Sequence, residues 1–189
     1  MRLVGYDYSK PGFYFVTVLT KDRECLFGEI EEGEMRLGEM GKIAEGECLK
    51  TSEIRKNIKV DCFVVMPNHV HGIIEIMDVD GDPGKDNVLE SRPGKGTVLE
   101  SLPGKGVLQY ALTSSRVGFR SPSNNLGAVI RGYKSSVTKQ INDLRNTPCN
   151  PVWHRNYHDH IIRSLEELEN IREYIKNNPR RWKDDPENV

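Results

Sequence analysis

Residues 64–76, with the sequence VVMPNHVHGIIEI, decide the fold. Apolar and β-branched residues on both sides of Pro67-Asn68 predict two strands, and Pro-Asn supplies the tight turn between them. His69 and His71 are two residues apart, so a strand would point both imidazoles to the same face. Two imidazoles held in this way are a natural pair of ligands for a divalent metal ion. The alternative for such a pair is a purely structural role.

The composition indicates a globular chain of about one domain. The chain has 189 residues, of which 37% are hydrophobic and 29% charged. No run of about 18 apolar residues is present, so neither a transmembrane span nor a membrane partner is expected. Met1–Asp7 lack the apolar core of a secretory signal, and the four cysteines show no Cys-x-x-Cys spacing. We therefore expect a cytoplasmic protein without a disulfide framework or zinc knuckle.

Periodicity places the remaining elements around the central hairpin. A strand (13–20), a short strand (34–37) and a helix (38–56) are predicted before it. A helix (125–144), a loop with a strand (151–163) and a last helix that begins after Ser164 are predicted after it. Ser164 and Glu167 have the spacing of a capping box, and Pro179 is expected to end the last helix. The acidic residues beyond Trp182 are predicted to fray.

Residues 79–127 differ from the rest of the chain. The ten residues 88–97 are followed at once by a near copy, 98–107, in which eight of ten positions are identical. A repeat unit of ten residues in only two copies does not predict a solenoid. We interpret 79–127 as a flexible, disordered insertion within a single domain.

Positive charge is concentrated downstream of this insertion. The net charge of the chain is −1, yet residues 128–163 carry six Lys/Arg and two Asp/Glu, a net charge of +4. Arg131, Lys134 and Lys139 lie on the polar side of the predicted 125–144 helix, and Arg155 follows in an aromatic segment. Such a set can bind phosphates. A solvated helix face remains the alternative.

Several motifs together resemble the HUH single-tyrosine transposases, and most closely the REP-associated tyrosine transposases. They cover about residues 8–78 and 126–182. In order they are Met66-Pro67-Asn68-His69-Val70-His71, the helix bearing Lys134, Val152-Trp153, and Glu173-Tyr174-Ile175-Lys176-Asn177-Asn178-Pro179. The resemblance implies an α/β (α+β) domain with a ferredoxin-like antiparallel sheet and flanking helices.

The same resemblance assigns roles to four residues. It implies that Tyr174 is the nucleophile, and that His69, His71 and Asn178 bind a divalent metal ion, Mg²⁺ or Mn²⁺. Tyr174 and Asn178 are four residues apart, so they share one helical face. The implied activity is that of a transposase that cuts and rejoins single-stranded DNA containing a hairpin, through a 5′-phosphotyrosine intermediate. Whether such a protein acts as a monomer or a homodimer is left open.

Two other functions are compatible with these residues. One is a catalytically inactive module that binds hairpin DNA, and the other is a metal-dependent hydrolase with water as the nucleophile. Among rival residues, Tyr133 lies beside basic residues but in apolar register, which favours core packing. His154, His158 and His160 form a second cluster, for which a structural role at a strand edge is favoured over metal or substrate contact.

Overall fold

The computed structural model describes residues 5–78 and 125–188. The strands and helices of these residues are β1 (Gly12–Leu19), β2 (Gly28–Glu31), β3 (Glu34–Leu37), α1 (Glu39–Ile54), β4 (Ile58–Met66), β5 (His69–Ile76), α2 (Leu126–Arg145), β6 (His158–Ile162) and α3 (Leu165–Asn177). Short 3-10 helices occupy Lys21–Arg23 and Pro179–Asp184. Residues 79–124 of the predicted insertion lie outside the described residues. Residues 125–127 are described, and α2 begins among them at Leu126.

The main sheet has the strand order β4-β5-β1-β6, and each pair of neighbours is antiparallel. The strand pairs joined through a helix, β1 with β4 and β5 with β6, are each separated in the sheet by one other strand. This β-α-β-β-α-β arrangement is the ferredoxin-like architecture. The predicted α+β fold class is thereby confirmed. β2 and β3 form a separate two-stranded hairpin.

Side chains alternate between two cores on opposite faces of the sheet. Val70 and Ile74 of β5 are buried with α1 and α2 in the larger core. Ile73, on the other face, is fully buried with Leu168 and Ile175 of α3 in a smaller core. Because side chains alternate along a strand, His69 and His71 fall on the α3 face with Ile73. The residues of α3 therefore lie against the histidine side of the sheet.

The Pro67-Asn68 turn is buried within the domain. The Pro67 carbonyl accepts a hydrogen bond from the Phe27 amide at 3.0 Å, and the Asn68 carbonyl accepts one from the Thr20 amide at 2.9 Å. Thr20 Oγ1 also donates to the Asn68 carbonyl, at 2.9 Å. These bonds fix the backbone immediately before His69.

Most predicted elements appear within one or two residues of their expected bounds, and one prediction at the C-terminus is wrong. α3 ends before Pro179, as expected, but the chain then continues as a 3-10 helix. The acidic residues beyond it do not fray, because Asp185 is buried and the Glu187 main-chain carbonyl accepts a hydrogen bond from the Asn68 side-chain amide. None of the helices in the described ranges is long and apolar enough to cross a membrane.

Candidate active site

His69 and His71 lie at the start of β5, next to the Pro67-Asn68 turn, and their ring centroids are 4.4 Å apart. Their exposed fractions are 0% and 3%. Burial lowers the pKa of His69 to about 4, with the Arg23 charge adding to the effect and Asp185 opposing it. Burial, together with the neighbouring His69, also holds the pKa of His71 well below its usual range. Both imidazoles are therefore neutral near pH 7, the state in which histidine binds metal ions.

Hydrogen bonds fix the tautomer of His69. The Asn68 amide nitrogen donates to the Glu187 main-chain carbonyl at 2.7 Å, so the Asn68 amide oxygen faces the other way. That oxygen lies 2.8 Å from His69 Nδ1 and can only accept, so Nδ1 carries the proton. His69 Nε2 is left with a free lone pair. It is buried and has no hydrogen-bond partner among the described residues.

His71 links the sheet to α3. Its Nδ1 lies 2.8 Å from Thr17 Oγ1 on the adjacent strand β1. Its Nε2 lies 3.3 Å from the hydroxyl of Tyr174. When Nδ1 donates to Thr17, the Nε2 lone pair points towards the tyrosine. His71 and Tyr174 are separated by 103 positions in the sequence, and the fold brings their side chains into contact.

Tyr174 is half-buried on the inner face of α3. Its ring makes edge contacts with Phe15 and His71, with centroid distances of 6.1 and 5.3 Å. Burial raises the pKa of the phenol, the negative charge of Asp185 raises it further, and a hydrogen bond from Asn178 opposes them. The phenol is therefore protonated near neutral pH, and its use as a nucleophile requires loss of that proton.

Asn178 and Asp185 complete the buried polar group. Asn178 caps α3, is 1% exposed, and donates from its amide nitrogen to Asp185 Oδ2 at 2.9 Å. The Asn178 amide oxygen is buried and, like His69 Nε2, has no hydrogen-bond partner in the described part of the chain. One ligand atom from each of His69, His71 and Asp185 lies within 4.8 Å of the other two.

This donor set fits a divalent cation. Two neutral imidazoles, a carboxylate and an amide oxygen match the mixed nitrogen and oxygen ligands that Mn²⁺ accepts, whereas imidazole is a less usual ligand for Mg²⁺. Two buried acceptor atoms without a partner are costly unless another group binds them. Sequence reasoning did not identify Asp185, because it belongs to the segment predicted to fray.

Comparisons with known proteins agree with this architecture. No protein-family model matches the chain. An uncharacterized protein of Haemophilus influenzae is 34% identical over 185 residues, which cover 98% of this chain and 89% of the relative. The chain belongs to the family of that protein.

A solved structure of similar fold is that of a REP-associated tyrosine transposase bound to a REP hairpin. It matches with a TM-score of 0.53 and 16% identity, over 95% of this chain and 73% of the other. The resemblance stated from the motifs is thus confirmed at the level of the fold: the chain has a REP-associated transposase fold.

The residues predicted to bind DNA lie on the α2 side of the sheet, opposite α3. Arg131, Lys134 and Arg155 line one cavity of about 590 Å³ together with the N-terminal end of α2. Lys139 lies outside this cavity, in an adjoining concave surface that also includes Lys134 and Arg155. The Lys134 ammonium donates to the main-chain carbonyls of His154 and Arg155 at 2.6 and 3.2 Å, so it also fastens that loop to α2.

Tyr133 and the second histidine cluster do not join Tyr174. The Tyr133 hydroxyl donates to the Ala44 carbonyl at 3.2 Å within the α1–α2 core, on the other face of the sheet. His160 Nε2 lies 2.6 Å from Glu167 Oε1 at the start of α3. His158 pairs in register with Thr17, whose other neighbour is His71, and its side chain is exposed.

Proposed function

We propose that this protein is a metal-dependent single-stranded DNA endonuclease and strand transferase that acts through Tyr174. The observation that carries the proposal is the position of the Tyr174 hydroxyl, 3.3 Å from His71 Nε2 and beside a buried group of metal-compatible side chains. A catalytic tyrosine needs a group that offsets the charge of the phosphate it attacks, and a divalent cation bound to these side chains would supply it.

The metal site in this proposal consists of His69, His71 and Asn178, with Asp185 next to them. When bound, a divalent cation would polarise the scissile phosphate and offset negative charge in the transition state. Mn²⁺ should serve at least as well as Mg²⁺, because two of the ligands are imidazoles.

The chain's own residues carry out the transfer. The Tyr174 oxygen forms a bond to phosphorus, the bond from phosphorus to the 3′ oxygen breaks, and a 5′-phosphotyrosine and a free 3′-OH result. The phenol proton passes to solvent, and the leaving 3′ oxygen takes up a proton. Because the phosphotyrosine retains a phosphodiester bond, a second 3′-OH can reverse the step and join a new strand without ATP.

The substrate in this proposal is a single strand that contains a hairpin. The transposase of similar fold is bound to a REP hairpin, and Arg131, Lys134, Lys139 and Arg155 provide phosphate-binding groups. Arg131 and Arg155 line the same cavity as Lys134, and the planar guanidinium group suits the oxygens of a phosphate.

A covalent-capture assay tests this function. The protein and its Tyr174→Phe variant are incubated with labelled single-stranded hairpins from the flanks of the protein's own gene, with Mn²⁺ or with a chelator, and run on denaturing gels. We expect a metal-dependent protein–DNA band that Tyr174→Phe abolishes without weakening binding, because only the nucleophilic oxygen is removed. Tyr133→Phe is the matched control and should retain the band.

The other outcomes separate the rival functions. Cleavage that persists in Tyr174→Phe without a covalent band would identify a hydrolase that uses water. Tight hairpin binding by the parent protein with neither cleavage nor a band would identify an inactive binding module.

A further inference from the structure

The segment 185–187 contacts the site from two sides after the 3-10 helix that follows α3. Asp185 is 7% exposed and bonds to Asn178, while the main-chain carbonyl of Glu187 bonds to Asn68. Arg23 holds the segment in place: its guanidinium donates to the Pro186 carbonyl at 3.3 Å and lies 3.1 Å from Glu187 Oε2. The Asp185 carboxylate also accepts from the Glu187 amide at 2.7 Å, which fixes the turn between them.

On the first side, Asp185 determines which way the Asn178 amide faces. An amide group can present either its oxygen or its nitrogen, and the two are nearly equal in shape. An ionised carboxylate only accepts hydrogen bonds, so Asp185 selects the orientation with Nδ2 towards itself. The Asn178 oxygen is then buried without a hydrogen-bond partner in the described residues. That is the orientation that a metal ligand requires.

On the second side, the Glu187 carbonyl does the same for Asn68. Because a carbonyl accepts only, it draws the Asn68 nitrogen and leaves the amide oxygen to accept from His69 Nδ1–H. His69 Nε2 therefore keeps its lone pair. Groups that fix the orientation and tautomer of metal ligands contribute to affinity although they do not touch the metal.

We infer that residues 185–187 are positioning residues that orient two metal ligands, Asn178 through Asp185 and His69 through Glu187 and Asn68. This inference rests on the proposed metal site. Both oxygens of the Asp185 carboxylate are already engaged, one with Asn178 and one with the Glu187 amide. Each oxygen keeps a second lone pair, so these bonds do not by themselves exclude a direct metal contact. The affinity cycle below distinguishes an orienting role of Asp185 from that of a direct ligand.

The test is a double-mutant cycle on Mn²⁺ affinity, measured by isothermal titration calorimetry without DNA. We expect Asp185→Ala and Asn178→Ala each to weaken Mn²⁺ binding by about 10- to 100-fold. The double variant should be no more than about twofold weaker than Asn178→Ala alone, because Asp185 acts through Asn178. If the two losses multiply, Asp185 is an independent ligand and the inference is overturned.

Controls separate orientation from charge and from folding. Asp184→Ala removes a negative charge from an exposed neighbour that lines the same cavity as Tyr174 and Asn178. It should leave Mn²⁺ affinity within about twofold, and an equal loss there would show that charge alone explains Asp185. Circular dichroism and thermal unfolding of each variant confirm that the fold is kept.

A second arm addresses Glu187. Asn68→Ala removes the amide that links the Glu187 carbonyl to His69 but leaves Asp185 with both of its hydrogen bonds, and we expect its Mn²⁺ affinity to fall about 10-fold. Unchanged affinity would overturn the part of the inference that concerns His69. Wild-type protein that binds no Mn²⁺, or whose binding survives His69→Ala, would overturn the proposed metal site together with this inference.

Discussion

At the scale of single residues, the buried histidines connect the site to the pH dependence of stability. His69 stays neutral in the folded protein down to about pH 4, whereas in the unfolded chain it takes up a proton near pH 6.5. Between these values the unfolded state binds more protons, so the free energy of unfolding falls as the pH is lowered. The shift for His69 corresponds to a loss on the order of 3 kcal/mol, since each pKa unit is worth about 1.4 kcal/mol.

This prediction is checked by urea unfolding in chelator between pH 7 and pH 4. We expect stability to decline across this window, and the decline to be smaller in His69→Gln, which lacks the titrating group. Equal slopes in the two proteins would contradict the assignment of this pH dependence to His69.

Thr17 gives a second prediction at this scale. Its hydroxyl lies 2.8 Å from His71 Nδ1, and the residue is 6% exposed. Thr17→Val keeps the shape but removes the acceptor that holds the imidazole proton on Nδ1, so we expect Mn²⁺ affinity to fall about 10-fold. Calorimetric titration measures this loss, and Thr138→Val on α2 is the matched control. An unchanged affinity would mean that the strand alone orients His71.

At the scale of elements, α3 carries Tyr174, the proposed nucleophile, and its first turn is held by a side-chain cap. Ser164 Oγ accepts a hydrogen bond from the Glu167 amide at 3.1 Å, as the capping pattern predicted. The Glu167 carboxylate, however, accepts from the Arg163 amide at 2.7 Å instead of from Ser164, so the capping box is shifted by one residue.

Removing this cap should destabilise the protein. We expect Ser164→Ala to lower the free energy of unfolding by about 1 kcal/mol, because the Glu167 amide loses its partner. Denaturant unfolding measures the change. Ser135→Ala, at an exposed position within α2, should be neutral or slightly stabilising because alanine favours helix interiors. A similar loss in both variants would exclude capping as the cause.

Local patterns explain which elements could be predicted from sequence. The β4–β5 hairpin, α2 and α3 follow from side-chain periodicity and from turn or cap residues close in sequence. β2 escaped prediction because Glu29 and Glu31 alternate with only one apolar residue between them. Its hairpin instead depends on a turn in which Glu32 and Gly33 adopt φ of 49° and 81°.

The parts of the site that escaped prediction depend on long-range contacts. Asn68 and Glu187 are 119 residues apart in sequence, and no periodicity links them. Asp185 follows a proline and a helix end, a context that ordinarily predicts a loose terminus. Only the 3-10 helix after Pro179, which turns the chain back towards β5, brings this carboxylate to Asn178.

At the scale of the whole molecule, the proposed chemistry and the proposed phosphate-binding residues occupy opposite faces of one sheet. Tyr174 lies on the α3 face with Phe15 and Ile73, whereas Arg131 and Arg155 line a cavity beside α2. Phosphate contacts contribute to affinity in proportion to the counterions they release, without taking part in bond making. The two faces should therefore be separable by mutation.

We expect the Arg131→Gln/Arg155→Gln variant to bind the hairpin more weakly but to form the covalent band at an unchanged single-turnover rate once DNA is saturating. For single-stranded DNA each phosphate contact contributes about 0.7 to the slope of log affinity against log salt, so losing two should reduce that slope by about 1.4. Fluorescence anisotropy across a salt series measures the slope, and Lys183→Gln, on the 3-10 helix after α3, is the control for loss of one positive charge outside this cavity. A reduced single-turnover rate with an unchanged salt slope would contradict this prediction. It would mean that the arginines act in the chemical step, because the rate of bond making would have changed while the number of phosphate contacts had not.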